Sequence, residues 1–175
     1  SQGVDSSAMT RHADIAAEIP RLRRYARALT GNATHADDLV QDTLERALGN
    51  WSLWRPGNLR AWLFSIMHNL FVNQVRSLRM VDFPGDEALP ELPTRATQGD
   101  ALELRDLARS ISQLPAEQRE ALLLVGLEDL SYADAAKILG VPVGTVMSRL
   151  SRGRERLRAL LAGGELAETH LKVIK

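Results

Sequence analysis

The chain has no cysteine, no surplus of either charge and no apolar run of membrane-spanning length. Each absence closes a class of explanation. Without thiols there are no disulfide staples and no thiolate metal ligands, which accords with a reducing compartment. With 22 basic and 22 acidic side chains, net charge alone names no partner. Membrane insertion is not expected. The opening "SQGVDSSAM" lacks the basic head and apolar core of a secretion signal, so residues 1–10 read as a disordered tail or tag remnant and the expected location is the cytoplasm. The histidines His12, His35, His68 and His170 are scattered, with no spacing for a metal site or a triad. Neither an enzyme nor a cofactor is expected. No segment reads as a strand and no internal repeat is visible.

What is present is uneven charge. Between Arg55 and Arg79 the only formal charges are Arg55, Arg60, Arg76 and Arg79. The stretch that follows inverts this: Asp82, Asp86, Glu87, Glu91 and Asp100 face Arg95 alone. Further on, Arg149, Arg152, Arg154, Arg156 and Arg158 face only Glu155. The acidic middle, residues 81–100, holds three prolines and two glycines and lacks a helical period, so it reads as a flexible linker between two small lobes.

On both sides of it the apolar spacing is helical. Ile15, Ile19, Leu22, Tyr25 and Leu29 form one stripe, Leu39, Val40, Thr43, Leu44 and Ala47 a second, and Leu59, Trp62, Leu63, Ile66 and Leu70 a third. Thr34 and Asn58 are the expected N-caps of the second and third helices, with Gly31 and Gly49 as stops. Pro20 either opens the first long helix or kinks it. Helices are predicted near 102–113, 115–127, 132–139 and 142–161. The fold class is therefore all-α: two small helical domains joined by a linker.

The second domain carries helix-turn-helix grammar in "LSYADAAKILGVPVGTVMSRLSRGRERLRALL". Ser131 can cap a helix, Ala135 and Ala136 allow close approach, Gly140 supplies a positive-φ turn and Pro142 restarts the chain. Val143, Val146, Leu150, Gly153, Leu157 and Leu160 form the inward stripe of the following helix. Its other side carries Thr145, Met147, Ser148, Arg149, Ser151, Arg152 and Arg156. Such a helix fits a major groove, with Arg and Ser reaching base edges and the remaining arginines meeting phosphates.

Three blocks, "ADDLVQDTLERAL" from Ala36, "NLRAWLFSIMHNLFVNQVR" from Asn58 and the run from Leu114 to Leu157, make the chain resemble an extracytoplasmic-function (ECF) sigma factor of bacterial RNA polymerase. The likeness covers nearly everything from Ile19 to Leu161. It implies sigma region 2 over 11–80, the linker over 81–100, sigma region 4 over 101–162 and a C-terminal tail over 163–175. It also implies a dissociable subunit that binds core polymerase, recognises minus-ten and minus-thirty-five elements and supports promoter melting.

Asp38, Gln41, Asp42 and Glu45 share one helix face. Any solvated helix can present such a stripe, but the resemblance makes it the contact for the beta-prime clamp helices, with region 4 on the beta flap. The second block mixes aromatics, amides and arginines with no acid nearby, a composition suited to unpaired DNA. Asn69 and Asn73 can read base edges, and Arg55, Arg60, Arg76 and Arg79 can neutralise phosphates. The resemblance implies a flipped-base pocket in the loop Trp51–Gly57, including Trp54, with Phe64, Ser65, His68 and Asn69 lining the adjoining helix face, and Asn58 completes the expected minus-ten set. Extracting a base costs a few kcal/mol, which stacking at ~1–3 kcal/mol per base can offset. The third block departs from the family at Met147, commonly Lys or Arg, at Ser151, often His or aromatic, and at Gly153, usually Ala. Control by an anti-sigma protein is implied, and "PRLRRYARALTG" with "RPGNLRAWLFSI" is similar to the general-stress-response branch. A stand-alone helix-turn-helix regulator is the alternative reading. It does not require core polymerase, so co-purification separates the two.

Overall fold

The computed structural model describes the backbone of residues 6–53, 57–80 and 98–173, with side chains over a slightly narrower part of each segment. Every regular element among the described residues is helical: α1 (Ser6–Thr30), α2 (Ala33–Gly49), a short 3-10 turn (Trp51–Leu53), α3 (Leu59–Met80), α4 (Gln98–Ser112), α5 (Ala116–Leu122), α6 (Tyr132–Leu139) and α7 (Val143–Val173). The first ten residues, expected as a disordered tail, enter a helix at Ser6, and Pro20 lies inside α1 rather than opening it. Residues 98–100, assigned to the linker, begin α4. The expected C-terminal tail continues α7 to Val173. The rest of the expected linker, 81–97, lies outside the described residues.

Local chemistry sets the joints. Gly31 adopts φ +67, a left-handed turn that ends α1 at little cost for a residue without Cβ. The next residue is then extended, and it is Asn32 rather than Thr34 that caps α2: its side-chain oxygen accepts from the His35 N–H at 3.0 Å. Asn58 does cap α3, its Oδ1 accepting from Ala61 N–H at 3.1 Å. In the second lobe, Ser131 Oγ accepts from Asp134 N–H at 3.1 Å, and Gly140 closes α6 at φ 65, ψ 37. Between α5 and α6 the helix widens to a π-turn over Leu123–Leu127, followed by Asp129 at φ 54.

The first lobe packs α1, α2 and α3 around Leu22, Tyr25, Leu29, Leu39, Leu63 and Met67; the second packs α4 to α7 around Leu114, Leu124, Ile138, Val146 and Leu150. Val143, expected to point inward, stands at the first residue of α7 and is 42% exposed. The lobes are not separate bodies. One cluster of buried apolar side chains runs from Leu22 and Phe64 through to Ala121 and Val146, and α3 lies directly on α6. Arg119 of α5 spans the junction, donating to the carbonyls of Ile111, Ser112 and Leu114 in its own lobe and of Leu29 across it, at 2.8–3.1 Å. The Leu29 carbonyl is one of the four that α1 leaves unpaired at its C-terminus. Tyr25 is wholly buried at this junction, and its phenol pKa is driven well above the ordinary value first by desolvation, then by the negative charges of Glu120 and Glu128.

Candidate nucleic-acid and polymerase interfaces

On α2 the sequence places two faces and the structure keeps them apart. Leu39, Val40, Thr43 and Ala47 are buried, and the Thr43 hydroxyl donates back to the Leu39 carbonyl at 2.7 Å. Asp38, Gln41, Asp42 and Glu45 are all exposed. Among the described residues no ion pair joins Asp38 or Asp42 to a basic side chain. Gln41 donates weakly to Glu45 at 3.4 Å. This is an open acidic face, available to a basic partner.

The α3 residues expected to line one nucleic-acid face fall on several. Phe64 is 1 % exposed and meets the Tyr25 ring edge-on, centroids 4.9 Å apart. It is core and cannot touch DNA. His68 turns to the second lobe, where Nδ1 pairs with the Glu120 carboxylate. Arg60 is held by Glu18 of α1 through two bonds of 2.9 and 3.3 Å, and that hydrogen bond raises the guanidinium pKa further. Ser65 donates to the Ala61 carbonyl at 2.9 Å, and Asn58 is spent on its cap. Asn69, Asn73 and Arg76 remain exposed. Trp54 and Arg55 lie outside the described residues.

Asn69 and Asn73 belong instead to a cleft of about 240 Å³ between the end of α2 and the flank of α3. Trp62, Ile66 and Leu70 form its apolar wall; Asn50, Asn69 and Asn73 supply amides, and Arg46 a cation. Trp62 is steadied by Trp51, ring centroids 5.9 Å apart at 81°, and Arg11 covers Trp51 at 5.8 Å. A π-face, three amides and no carboxylate can receive a flat, hydrogen-bonding, electron-rich group such as a nucleobase.

On α7, Val146, Leu150 and Gly153 are buried, while Ser148, Ser151, Arg152 and Arg156 are exposed. Met147 is 52 % exposed. Thr145 is half-buried. Ser148 donates to its own helix at the Gly144 carbonyl, 3.1 Å away, which leaves its oxygen lone pairs facing outward as acceptors. Arg149 is half-buried on the flank, 3.8 Å from Glu117 of α5. Beside Met147 lies a trough of about 350 Å³, floored by Leu150 and walled by Tyr132, Ser151, Arg154, Glu155 and Arg158.

Comparison with known proteins gives this arrangement a family. A family profile described as the Sigma2 domain of PhyR matches residues 15–68, and one described as Sigma-70, region 4 matches 104–157. The chain is 48% identical over 151 residues to the ECF RNA polymerase sigma factor EcfG of Rhodopseudomonas palustris, covering 85% of this chain and 83% of that one. The chain belongs to the ECF RNA polymerase sigma factors. Its fold matches, at TM-score 0.74 and 37% identity, the sigma factor RpoE of Bartonella quintana solved with the anti-sigma factor NepR, over 87% of this chain and 97% of that one. CnrH, solved with the cytosolic domain of CnrY, matches at TM-score 0.64 and 29% identity, over 87% of each chain.

In this sigma factor the region 2 helix shows why its faces were misassigned. Trp62, Ile66 and Leu70 look like core by their four-residue spacing, and Phe64 looks like a stacking ring. The structure buries Phe64 in the core and leaves Trp62, Ile66 and Leu70 half-buried, packed against the core on one side and lining the cleft on the other, because α3 is packed from several sides and is apolar around most of its circumference. The residues missed are Arg46, Asn50, Ile66 and Leu70 in the cleft and Tyr132, Arg154 and Arg158 in the trough. The recurrence of amides at 69 and 73 beside Trp62, Ile66 and Leu70 was the available signal for the cleft. In region 4, Gly153 lies close against α5: a Cβ there would lie 3.4 Å from Gln118 Cβ and 3.5 Å from its carbonyl oxygen, which leaves room for a methyl and for nothing larger. Gly153→Ala is expected to gain up to about 1 kcal/mol of helix propensity, because the added Cβ meets Gln118 at ordinary contact distance. Gly153→Leu is expected to push α7 off α5 and lower stability by about 1–3 kcal/mol. Denaturant melts of both variants check this, and a Leu variant as stable as the parent refutes the close approach.

Proposed function

We propose that the exposed α2 face Asp38, Gln41, Asp42 and Glu45 docks on the beta-prime clamp helices of core polymerase, and that the α2–α3 cleft takes an unpaired base of the minus-ten element. The groove side of α7 reads the minus-thirty-five duplex, and region 4 meets the beta flap. The protein works as a promoter-specificity subunit in the cytoplasm, associated with the nucleoid when active, and not as a catalyst. Its relative's complex with the anti-sigma factor NepR supports control by an anti-sigma protein, and we take the genes so controlled to be a stress regulon. The observation that carries the DNA reading is the acid-free cleft of Trp62 and three amides on the same chain as a helix-turn-helix.

Asn69→Ala tests it. The side chain is exposed and makes no described fold contact, so the variant should fold. It is expected to weaken binding to a single-stranded minus-ten oligonucleotide in the polymerase complex by about 1–3 kcal/mol, slow open-complex formation and leave minus-thirty-five duplex binding unchanged. Equal loss on both probes would place the base elsewhere. Failure to co-purify with core polymerase would favour the stand-alone regulator.

A further inference from the structure

The leading end of α7 carries two large apolar side chains that the core does not use. Val143 is 42% exposed and Met147 52%, while Val146, Leu150 and Gly153 supply the buried side of the helix. Four residues apart, Val143 and Met147 are neighbours on the helix surface, with Cβ atoms about 5–6 Å from each other. At about 100° per residue, with Val146 at the centre of the buried side, Val143 lies about 60° and Met147 about 100° round one flank. Ser148 is nearly opposite the core, and Arg152 lies about 120° round the other flank. The outward side of this helix is therefore divided, with a hydroxyl and a guanidinium on one part and a hydrocarbon edge on the other. From Val143 to Arg154 every formal charge is positive, at Arg149, Arg152 and Arg154. The apolar edge thus sits on a surface complementary to phosphate, continuous with the residues assigned above to the minus-thirty-five duplex, and DNA is the partner that charge favours for it.

We propose that Val143 and Met147 together cup the C5-methyl group of a thymine in the minus-thirty-five duplex, which makes them specificity residues beside Arg152. The inference rests on the assignment of α7 to that duplex and adds the base that the apolar edge selects. The thymine methyl is the one methyl group that an unmodified duplex presents in the major groove; the other groups that distinguish base pairs there are hydrogen-bond donors and acceptors. Valine has no polar side-chain atom and methionine only a weakly accepting sulfur, so this edge loses by facing those groups and gains by facing the methyl. The branched valine is stiff in a helix and forms one fixed wall of the cup. Methionine is unbranched and polarisable and closes on the methyl from the other side, and the trough beside it, floored by Leu150, leaves its side chain room to swing. Arg152 follows Met147 by five residues, about 7.5 Å along the helix or about two base pairs at 3.4 Å per step. The thymine is therefore placed about two base pairs from the pair that Arg152 reads.

Removing the methyl alone tests this. The full chain bound to core polymerase is titrated with promoter duplexes in which each thymine of the minus-thirty-five element, on either strand, is replaced in turn by uracil. Uracil keeps every Watson–Crick hydrogen bond and lacks only the methyl. One position is expected to lose about four-fold in affinity, the effect of one buried methyl-sized group. Both side chains are exposed, so Met147→Ala and Val143→Ala should fold; the first is expected to bind the thymine and uracil duplexes alike, and the second to show a smaller difference than the parent. Met147→Lys should also be blind to the methyl while steepening the salt slope by about one. A parent sensitive to no thymine methyl overturns the proposal. So does a loss that persists at full size in either alanine variant, which would make it an effect of duplex deformability. A sensitive thymine more than about four base pairs from the pair that Arg152→Ala relaxes overturns it too. If no base change in the element alters binding by the parent, the minus-thirty-five reading fails and this one with it, whereas base changes that matter while the methyls do not leave that reading standing and sink this one alone.

Discussion

Reversal of charge at Asp38 and Asp42 together is expected to abolish promoter-dependent transcription and core-polymerase binding while leaving helicity and melting behaviour intact. Both side chains are exposed and make no described contact within the fold, so the variant has no structural reason to unfold. Each exposed ion pair made with a basic partner is worth about 0.2–1 kcal/mol. Replacing acid by lysine does more than delete it, because like charges brought together at an interface cost several kcal/mol. The expected loss of affinity is therefore at least about a hundred-fold, and it should shrink as salt rises and screens the repulsion. Pull-down of core enzyme and a circular dichroism spectrum settle the matter. Undiminished binding by the double variant would mean that the stripe is an ordinary solvated face.

The parts of the molecule legible in its sequence were those fixed by neighbouring residues. Ser131, Gly140 and Pro142 punctuate the helix-turn-helix through local backbone chemistry, and the structure places a cap, a left-handed turn and a restart where those residues stand. The acidic stripe was equally legible, since its four polar side chains alternate with an unambiguous apolar set. The face of α3 was not. A helix that buries Leu63, Phe64, Met67 and Phe71 while half-burying Trp62, Ile66 and Leu70 carries apolar residues nearly all round, so periodicity cannot rank its sides and only the packing of α1, α2 and α6 decides. The junction of the lobes was the least legible feature. Nothing near Glu120 and Glu128 in the sequence marks them as buried, because their partners, Arg21 and Arg24 for Glu128 and His68 for Glu120, lie about a hundred residues earlier for Glu128 and about fifty for Glu120. The π-turn between them lies in "LLVGL", a stretch with no turn residue except one glycine.

Arg152→Ala is expected to weaken minus-thirty-five binding by about 1–3 kcal/mol and to relax preference at one base pair, whereas Arg149→Ala should lower affinity less and evenly across sequences. The two arginines differ by only three positions, but the helix treats them differently. At about 100° per residue, with the buried side centred on Val146, Ser148 lies nearly opposite the core and Arg152 follows it within about 40°. Arg149 falls only about 60° from the core centre. The structure agrees: Arg152 is exposed, while the Arg149 side chain is 24% exposed and bent toward Glu117. A guanidinium in that position reaches a groove edge, where a phosphate lies, more readily than a base. Its loss should lower the salt slope by about one. With Met147 where the family commonly has a base, and Ser151 one turn later, little other charge competes with Arg152 on the groove side, so its removal should be felt at a single step of the duplex. Titrating the parent and both alanine variants, each bound to core polymerase, against single-base changes in the element at several salt concentrations separates the roles. A uniform loss for Arg152→Ala would transfer the reading role elsewhere on α7, and no loss for either variant would mean that this helix does not enter the groove.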